Sequence, residues 1–202
     1  YIHVNGKASD KISDSLRIDL RAVDVDYVLN LVNFHSVDFS GEASGHAFVV
    51  APFGNLAAHA QLMVNKFLFQ DGRMGVLDAK VDWNQQEKQI DIHAVADDGP
   101  DALTFIDGYV SPSRNFIDLG FNAQGTHIDF LHSFTKSFLS EINGHANGKL
   151  RLSGPLNKIN LTGKVAVNAE AMVAPLNVRY YLDNDTVTLV PDEIKLDGAT
   201  LQ

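Results

Sequence analysis

The chain has 202 residues, no cysteine and a formal net charge of −9 at pH 7, with 45% hydrophobic and 20% charged residues. This is the composition of a globular protein, and the length fits one large β domain or two small domains. The acidic balance argues against nucleic acid as a partner, because phosphates need clustered Lys and Arg. The absence of cysteine excludes disulfides, thiol catalysis and cysteine-bound zinc.

The two ends of the sequence bear on its context. The chain opens at Tyr1 with a strand-like segment and stops after Gln202, so we expect it to be a piece of a longer protein. No apolar run approaches the roughly 18 residues that a membrane-spanning helix needs. We therefore expect any anchor or targeting signal to lie outside these residues.

Alternating apolar and polar residues dominate the chain and predict strands, because successive strand side chains point to opposite faces. The alternation appears at residues 16–22, returns at residues 90–94 and 150–152, and is longest at residues 159–173 and 176–182. Clusters of Gly, Pro, Asn and Asp separate these segments and indicate turns. Short strands at this spacing predict an antiparallel meander rather than alternating strands and helices.

Two segments instead carry apolar residues at helical spacing. An aspartate precedes each segment at the position of a helix N-cap: Asp26 before the first and Asp129 before the second. We predict two short amphipathic helices, near residues 26–36 and 129–140, whose apolar stripes pack in the core. The stripe residues are Tyr27, Leu31 and Phe34 in the first helix and Leu131, Phe134, Phe138 and Ile142 in the second.

An offset of 103 residues aligns the two halves of the chain. Over residues 26–65 it gives seven identities without a gap, where average composition gives roughly two or three. The pairs are Asp26 with Asp129, Gly41 with Gly144, Ala43 with Ala146, Gly45 with Gly148, Pro52 with Pro155, Val64 with Val167 and Asn65 with Asn168. We predict one continuous repetitive β domain over residues 1–202, with repeat units of about 1–100 and 101–202. Because glycine accepts positive φ, we expect Gly41 and Gly144 at the turn that leaves each helix.

Two repeat segments resemble a known family. They are FSGEASGHAFVVAPFGNLAAHAQL and INGHANGKLRLSGPLNKINLTGKVAVNAEAMVAPLNVRYYLDNDTVTLVPDEIKL. They are similar to the C-terminal repeat region of TamB-type translocation and assembly proteins, within the AsmA-like group, and the resemblance is strongest from Asp129 to Gly198. It implies a long curled antiparallel β-sheet, taco-like in section, with an apolar inner groove.

The same resemblance carries functional expectations. It implies a non-catalytic periplasmic module that holds or conducts phospholipid acyl chains and supports outer-membrane biogenesis. It also implies a parent protein that is anchored in the inner membrane by a segment outside this chain. An outer-membrane barrel assembly protein is then the expected partner, reached through the parent chain.

The strand alternation indicates which side chains would line such a groove, because a slip of one residue would turn them all into water. The predicted lining is Leu161, Val165, Val167, Ala169, Leu176, Val178, Tyr180, Leu189, Ile194 and Leu196, with Phe134 and Phe138 from the second helix. We expect that helix to plug one end of the groove.

Motifs for metal, nucleophilic or phosphate chemistry are missing from the sequence. Among eight histidines, the best metal candidate is His127 with Asp129 and His132, which is better explained as surface polarity and a helix cap. We therefore predict no catalytic residue, no cofactor and no metal site.

Three functions stay open at this level. The first is a lipid-holding conduit, which an open apolar groove would favour. The second is a structural β-scaffold that binds an outer-membrane protein partner without lipid, which an interior filled by side chains would favour. The third is an enzyme acting on envelope glycan, which would need a concave carboxylate cluster with aromatic platforms. Trp83 is the only tryptophan, so such platforms are scarce.

Overall fold

A computed structural model describes residues 1–27, 38–135, 139–191 and 193–197. Twelve strands and one helix with defined ends make up this part of the chain. The strands are β1 (Ile2–Gly6), β2 (Ser15–Asp24), β3 (Phe39–Val50), β4 (Ala57–Phe69), β5 (Gly72–Asn84), β6 (Gln89–Asp97), β7 (Leu103–Ser111), β8 (Phe116–His127), β9 (Leu139–Pro155), β10 (Asn160–Val173), β11 (Val178–Val190) and β12 (Glu193–Asp197). The helix α1 is Leu131–Thr135.

The strands form one antiparallel sheet in which each strand pairs with its neighbours in the sequence, from β1 at one edge to β12 at the other. This confirms the prediction of a mainly β protein with a meander topology. Short hairpin connections suffice for antiparallel neighbours, whereas parallel pairing would need long crossovers.

The two predicted helices are present but short. Residues 25–27 are helical, and the rest of the first prediction, at residues 28–36, lies outside the described residues. Helix α1 starts at Leu131, two residues after the predicted cap, and residues 136–138 also lie outside the description. Strand β9 begins at Leu139, so the second helix cannot reach residue 140 as predicted.

The 103-residue offset found in the sequence recurs in the pairing of the strands. Ser15 faces Val50 across β2 and β3, and Asp118 faces Ser153 across β8 and β9. The pairing of β3 with β4 over residues 43–50 is likewise repeated, partner for partner, by the pairing of β9 with β10. Strands β2, β3 and β4 are therefore the register equivalents of β8, β9 and β10.

The expected place of the repeated glycines is wrong. Gly41 and Gly144 lie inside β3 and β9, not in turns that leave a helix. Their φ angles are 141° and 154°, and a Cβ atom on Gly144 would lie 2.2 Å from the carbonyl oxygen of Asn168 on the paired strand. Glycine is therefore required here by the close approach of a neighbouring backbone and by its positive φ, rather than by chain reversal.

Candidate functional site: the apolar face of the sheet

One face of the sheet carries a row of facing residues that crosses all twelve strands, here called the apolar row. Each position is apolar or glycine, because the alternation of every strand keeps the same parity across the pairings. In order from β1 to β12 the row is Ile2, Leu20, Gly45, Leu62, Ala79, Ala94, Ile106, Phe121, Leu150, Gly163, Leu189 and Ile194. At a strand spacing of about 4.8 Å, twelve strands extend for roughly 53 Å.

A second row runs beside the first from β1 to β10, and it contains no charged residue. Its members are Val4, Ile18, Ala47, Ala60, Val81, Ile92, Gly108, Leu119, Leu152 and Leu161. Together the two rows form the apolar face of the sheet. This face is the largest continuous feature that the sequence alternation produces.

The middle of the apolar face is covered by the protein itself. Ile106, Phe121 and Leu152 are buried members of one hydrophobic cluster. The rings of Phe69 on β4 and Phe121 on β8 lie 6.0 Å apart, although three strands separate these two in the sheet. Side chains from distant strands thus meet over the central strands and exclude water from them.

The segment around α1 helps to cover the central part. The ring of Phe130 lies 5.4 Å from the ring of Phe69. Next to it, the Ser133 hydroxyl donates a hydrogen bond of 2.9 Å to the carbonyl oxygen of Gln70 in the β4–β5 turn. The helical segment therefore ties the second repeat to a hairpin of the first.

Little space remains inside this central part. The internal cavity there has a volume of about 20 Å³, which is room for about one water molecule. Its lining includes Phe69, Met74, Phe121, Phe130 and Leu161. Side chains therefore fill the interior around this cavity.

Among the described residues, none covers the end of the apolar face formed by β1 to β4 in this way. Ile2 and Val4 are each 54% exposed, and Ile18, Leu20 and Leu62 are only half-buried. We call this region the open section of the apolar face. It presents aliphatic side chains at its surface, and a contiguous exposed apolar surface of this kind indicates an interaction site.

The predicted groove residues differ in where the structure places them. Val165, Val167, Ala169 and Leu189 are buried in the hydrophobic cluster, and Leu161 packs against it. Tyr180 is half-buried, and Val178 at the start of β11 is exposed. Ile194 and Leu196 on β12 face Leu189 and Val187. Phe134 lies in α1, and Phe138 lies outside the described residues.

Leu176 does not join the buried face. It lies in the turn after β10, which ends at Val173, and it is 62% exposed. Strand alternation does not apply within a turn, so its spacing from Val178 had no structural meaning.

A β-bulge explains why buried residues change parity along β11. Val167 faces Asp185, whereas Ala169 faces Leu182, so one extra residue of β11 lies between the two pairs. Asn184, at this irregularity, has a φ of 57°. Tyr180 therefore shares a face with Leu189 although their positions in the sequence differ by nine, an odd number.

One stretch on this side of the sheet that is as deeply buried as residues 165–169 of β10 was not among the predicted lining residues. Ile117, Leu119 and Phe121 on β8 are 1%, 5% and 7% exposed. The signal was present in the sequence, since these residues and Ala123 alternate with polar residues in the same way as in β10. The alternation of residues 159–173 is longer than that of residues 117–123, and it therefore gave the stronger prediction.

The opposite face of the sheet carries cross-strand contacts between histidine and aspartate side chains. His59 contacts Asp82 at 2.7 Å and His93 contacts Asp107 at 2.7 Å, all with exposed side chains. Such pairs contribute little to stability in water, and they mark this face as the solvated one.

The Arg151–Asp118 pair on that face is joined by two hydrogen bonds. The Arg151 guanidinium donates two hydrogen bonds, from Nε at 2.6 Å and from Nη2 at 2.5 Å, to the two oxygens of Asp118. These bonds hold the pKa of the Asp118 carboxyl below its usual value and raise the pKa of Arg151.

The described residues show no metal site and no buried polar group without a partner. Within them, no group of three or more His, Asp or Glu side chains has the arrangement of a metal site. Every buried side-chain nitrogen or oxygen of that part has a hydrogen-bond partner. No helix found there has the length and apolarity to cross a membrane.

The likeness of the chain to known proteins was also tested. Comparison with protein-family models, with curated proteins and with solved structures found no match. The function of the protein is therefore inferred from its apolar face and from the resemblance of its sequence.

Proposed function

We propose that this protein is a non-catalytic β-sheet module that holds acyl chains of a phospholipid on the open section of its apolar face. The observation that carries the proposal is the apolar row, which lacks charge across twelve strands and stays accessible at Ile2, Leu20 and Leu62. Each methylene buried there would contribute about 0.8 kcal/mol. Lipid chains suit such a surface because it offers apolar contact without polar groups to satisfy.

A curled sheet with an apolar groove is part of this proposal. Contacts between Phe69 on β4 and Phe121 on β8 support the curl, since a flat sheet would hold these strands roughly 19 Å apart. On this view the first repeat forms the mouth of the groove, while the second repeat and α1 close its floor.

The resemblance to TamB-type proteins supplies the setting of the proposal. It supports a periplasmic location, a parent protein anchored in the inner membrane, an outer-membrane barrel assembly protein as partner and a role in outer-membrane biogenesis. The acidic charge of the chain agrees with a module that does not lie on an anionic membrane surface.

A second candidate function is a structural β-scaffold that binds a protein partner without lipid. The filled centre favours it, because a cavity of about 20 Å³ leaves no passage for an acyl chain through the described central part. We therefore place lipid on the open section, and we do not propose conduction through the centre.

Lipid extraction from protein purified from cells, followed by mass spectrometry, distinguishes the two candidates. Leu62→Asp puts a charge on the open section, and Gln61→Asp puts the same charge on the exposed neighbour on the solvated face of β4. We expect phospholipid with the wild type and with Gln61→Asp, and its loss with Leu62→Asp. Equal lipid content in both folded variants, or none in the wild type, would favour the scaffold.

A further inference from the structure

The edge strand β1 occupies the place that an internal strand holds in the second repeat. Because β2 is the register equivalent of β8, β1 stands beside β2 where β7 stands beside β8. Gly6 and Gly108 show the match in detail. Their φ angles are 119° and 151°. A Cβ atom on Gly6 would lie 2.1 Å from the Ser15 carbonyl oxygen, and one on Gly108 would lie 2.0 Å from the Asp118 carbonyl oxygen.

The other edge strand, β12, has an internal counterpart as well. Ile194 faces Leu189 across β12 and β11, and Ile92 faces Val81 across β6 and β5. Leu189 and Val81 themselves face equivalent positions of β10 and β4. Strand β12 is therefore the register equivalent of β6.

Strands β6 and β7 pair with each other inside the chain along most of their length, from Ile90–Val110 to Asp97–Leu103. Strand β12 is equivalent to β6, and β1 is equivalent to β7. The two edge strands of the described sheet therefore correspond to two strands that pair with each other inside the chain. From this we infer that β12 of one copy pairs antiparallel with β1 of a second copy, in the register of β6 with β7. This inference does not depend on lipid binding.

The register that follows joins the apolar faces of the two copies. Leu196 is the register equivalent of Ala94, and Val4 is the register equivalent of Ile106. Because Ala94 faces Ile106 inside the chain, Leu196 would face Val4 of the second copy. Val4 is 54% exposed at the edge, and pairing would remove part of that surface from water.

Charges on the solvated face agree with this register. Asp91 faces Tyr109 inside the chain, and the equivalent positions bring Glu193 opposite Lys7 of the second copy. One is acidic and the other basic, so the pairing places opposite charges across the new junction. Lys195 would stand opposite Asn5 in the same way.

The side of β1 that faces away from β2 presents the backbone groups that such pairing needs. Tyr1 and Arg21 exchange two hydrogen bonds of 2.9 Å, and the Lys7 amide donates to the Ser15 carbonyl at 3.0 Å. Odd-numbered residues therefore bond to β2, and the N–H and C=O groups of the even-numbered residues point away from the sheet. An edge with this row of groups accepts another strand.

Engineered cysteines test the inference, since the chain has none of its own. In the Asn5→Cys/Lys195→Cys variant the two thiols lie on directly opposed residues of neighbouring copies, within the Cα distance that a disulfide requires. Asn5→Cys/Glu193→Cys is the matched control, in which the thiols lie on a diagonal roughly 7–8 Å apart. Both variants are oxidised over a range of protein concentrations and run on non-reducing gels.

We expect a concentration-dependent ladder of dimers, trimers and higher species from the opposed pair, because each copy has both edges and head-to-tail pairing adds one copy after another. The diagonal control should lack the ladder. Val4→Pro, added to the opposed pair, should abolish it, because it removes an outward-pointing N–H without breaking a bond to β2. A link formed only within one chain, equal ladders in both cysteine variants, or no ladder at any concentration would overturn the inference.

Discussion

Ala22 and Gly125 hold the same position in two equivalent β-bulges, with φ angles of 45° and 65°. Each bulge interrupts the pairing of its strand at the same point of the repeat, between Leu20 and Val23 in β2 and between Ala123 and Thr126 in β8. The repeat is therefore conserved down to an irregularity of the backbone, although the two residue types differ.

The first prediction concerns this bulge. Gly125→Ala should destabilise the protein by about 2 kcal/mol or more, because of the positive φ and a Cβ atom that would lie 1.8 Å from the Asp101 oxygen. Ala22→Gly is the matched change at the equivalent site, where it relieves left-handed strain and should alter stability by about 1 kcal/mol or less. Urea unfolding of both variants measures the difference, and similar midpoints would show that the Asp101 oxygen does not exclude a Cβ atom at position 125.

The second prediction tests the two faces of β10. Val167 is 1% exposed, so Val167→Asp should cost several kcal/mol because it buries an unpaired charge. Asn168→Asp is its neighbour on the exposed side and keeps the Oδ1 acceptor for the Asn184 amide, so it should change stability little. Thermal melts report both effects, and equal behaviour of the two variants would mean that the face assignment is wrong.

The third prediction concerns a buried hydroxyl pair on the apolar side. Thr104 and Thr126 are 3% and 6% exposed, and their hydroxyl oxygens lie 2.6 Å apart. Thr126→Val removes the partner of the Thr104 hydroxyl and should cost about 1–3 kcal/mol. The double change to valine should recover much of that loss, since neither hydroxyl is then buried. Additive losses in urea titrations would contradict the pairing.

The fourth prediction follows from the lowered pKa of Asp118. A carboxyl whose folded-state pKa is depressed adds stability above its unfolded pKa of about 3.9, and that stability is lost as the pH falls through the folded value. Asp118→Asn should therefore be less stable than the wild type at pH 7, and the difference should shrink below about pH 4. Denaturant midpoints measured from pH 7 to pH 2 check this. Asp107→Asn, at an exposed carboxyl on the same face, serves as the control.

The sequence by itself determined the class of fold and the sidedness of the strands. Alternation such as that of residues 159–173 is a local property, and burial of one face follows wherever neighbouring strands keep the same parity. The 103-residue offset was also readable from identities alone, and the strand registers later followed it. Val165 and Val167 are buried on the side that the alternation indicates, because they lie within β10, away from its ends.

Only the tertiary structure decided where the chain bends and which parts of the apolar face are covered. Leu176 lies in a turn and Gly144 lies within a strand because pairing partners, not local spacing, set the ends of β9 and β10. The contact of Phe69 with Phe121 joins residues that are 52 positions apart and on strands that do not pair, so no periodic pattern could reveal it. That contact closes the centre of the face, whereas Ile2 and Val4 at its β1 end are exposed, because covering a sheet depends on the path of the whole chain.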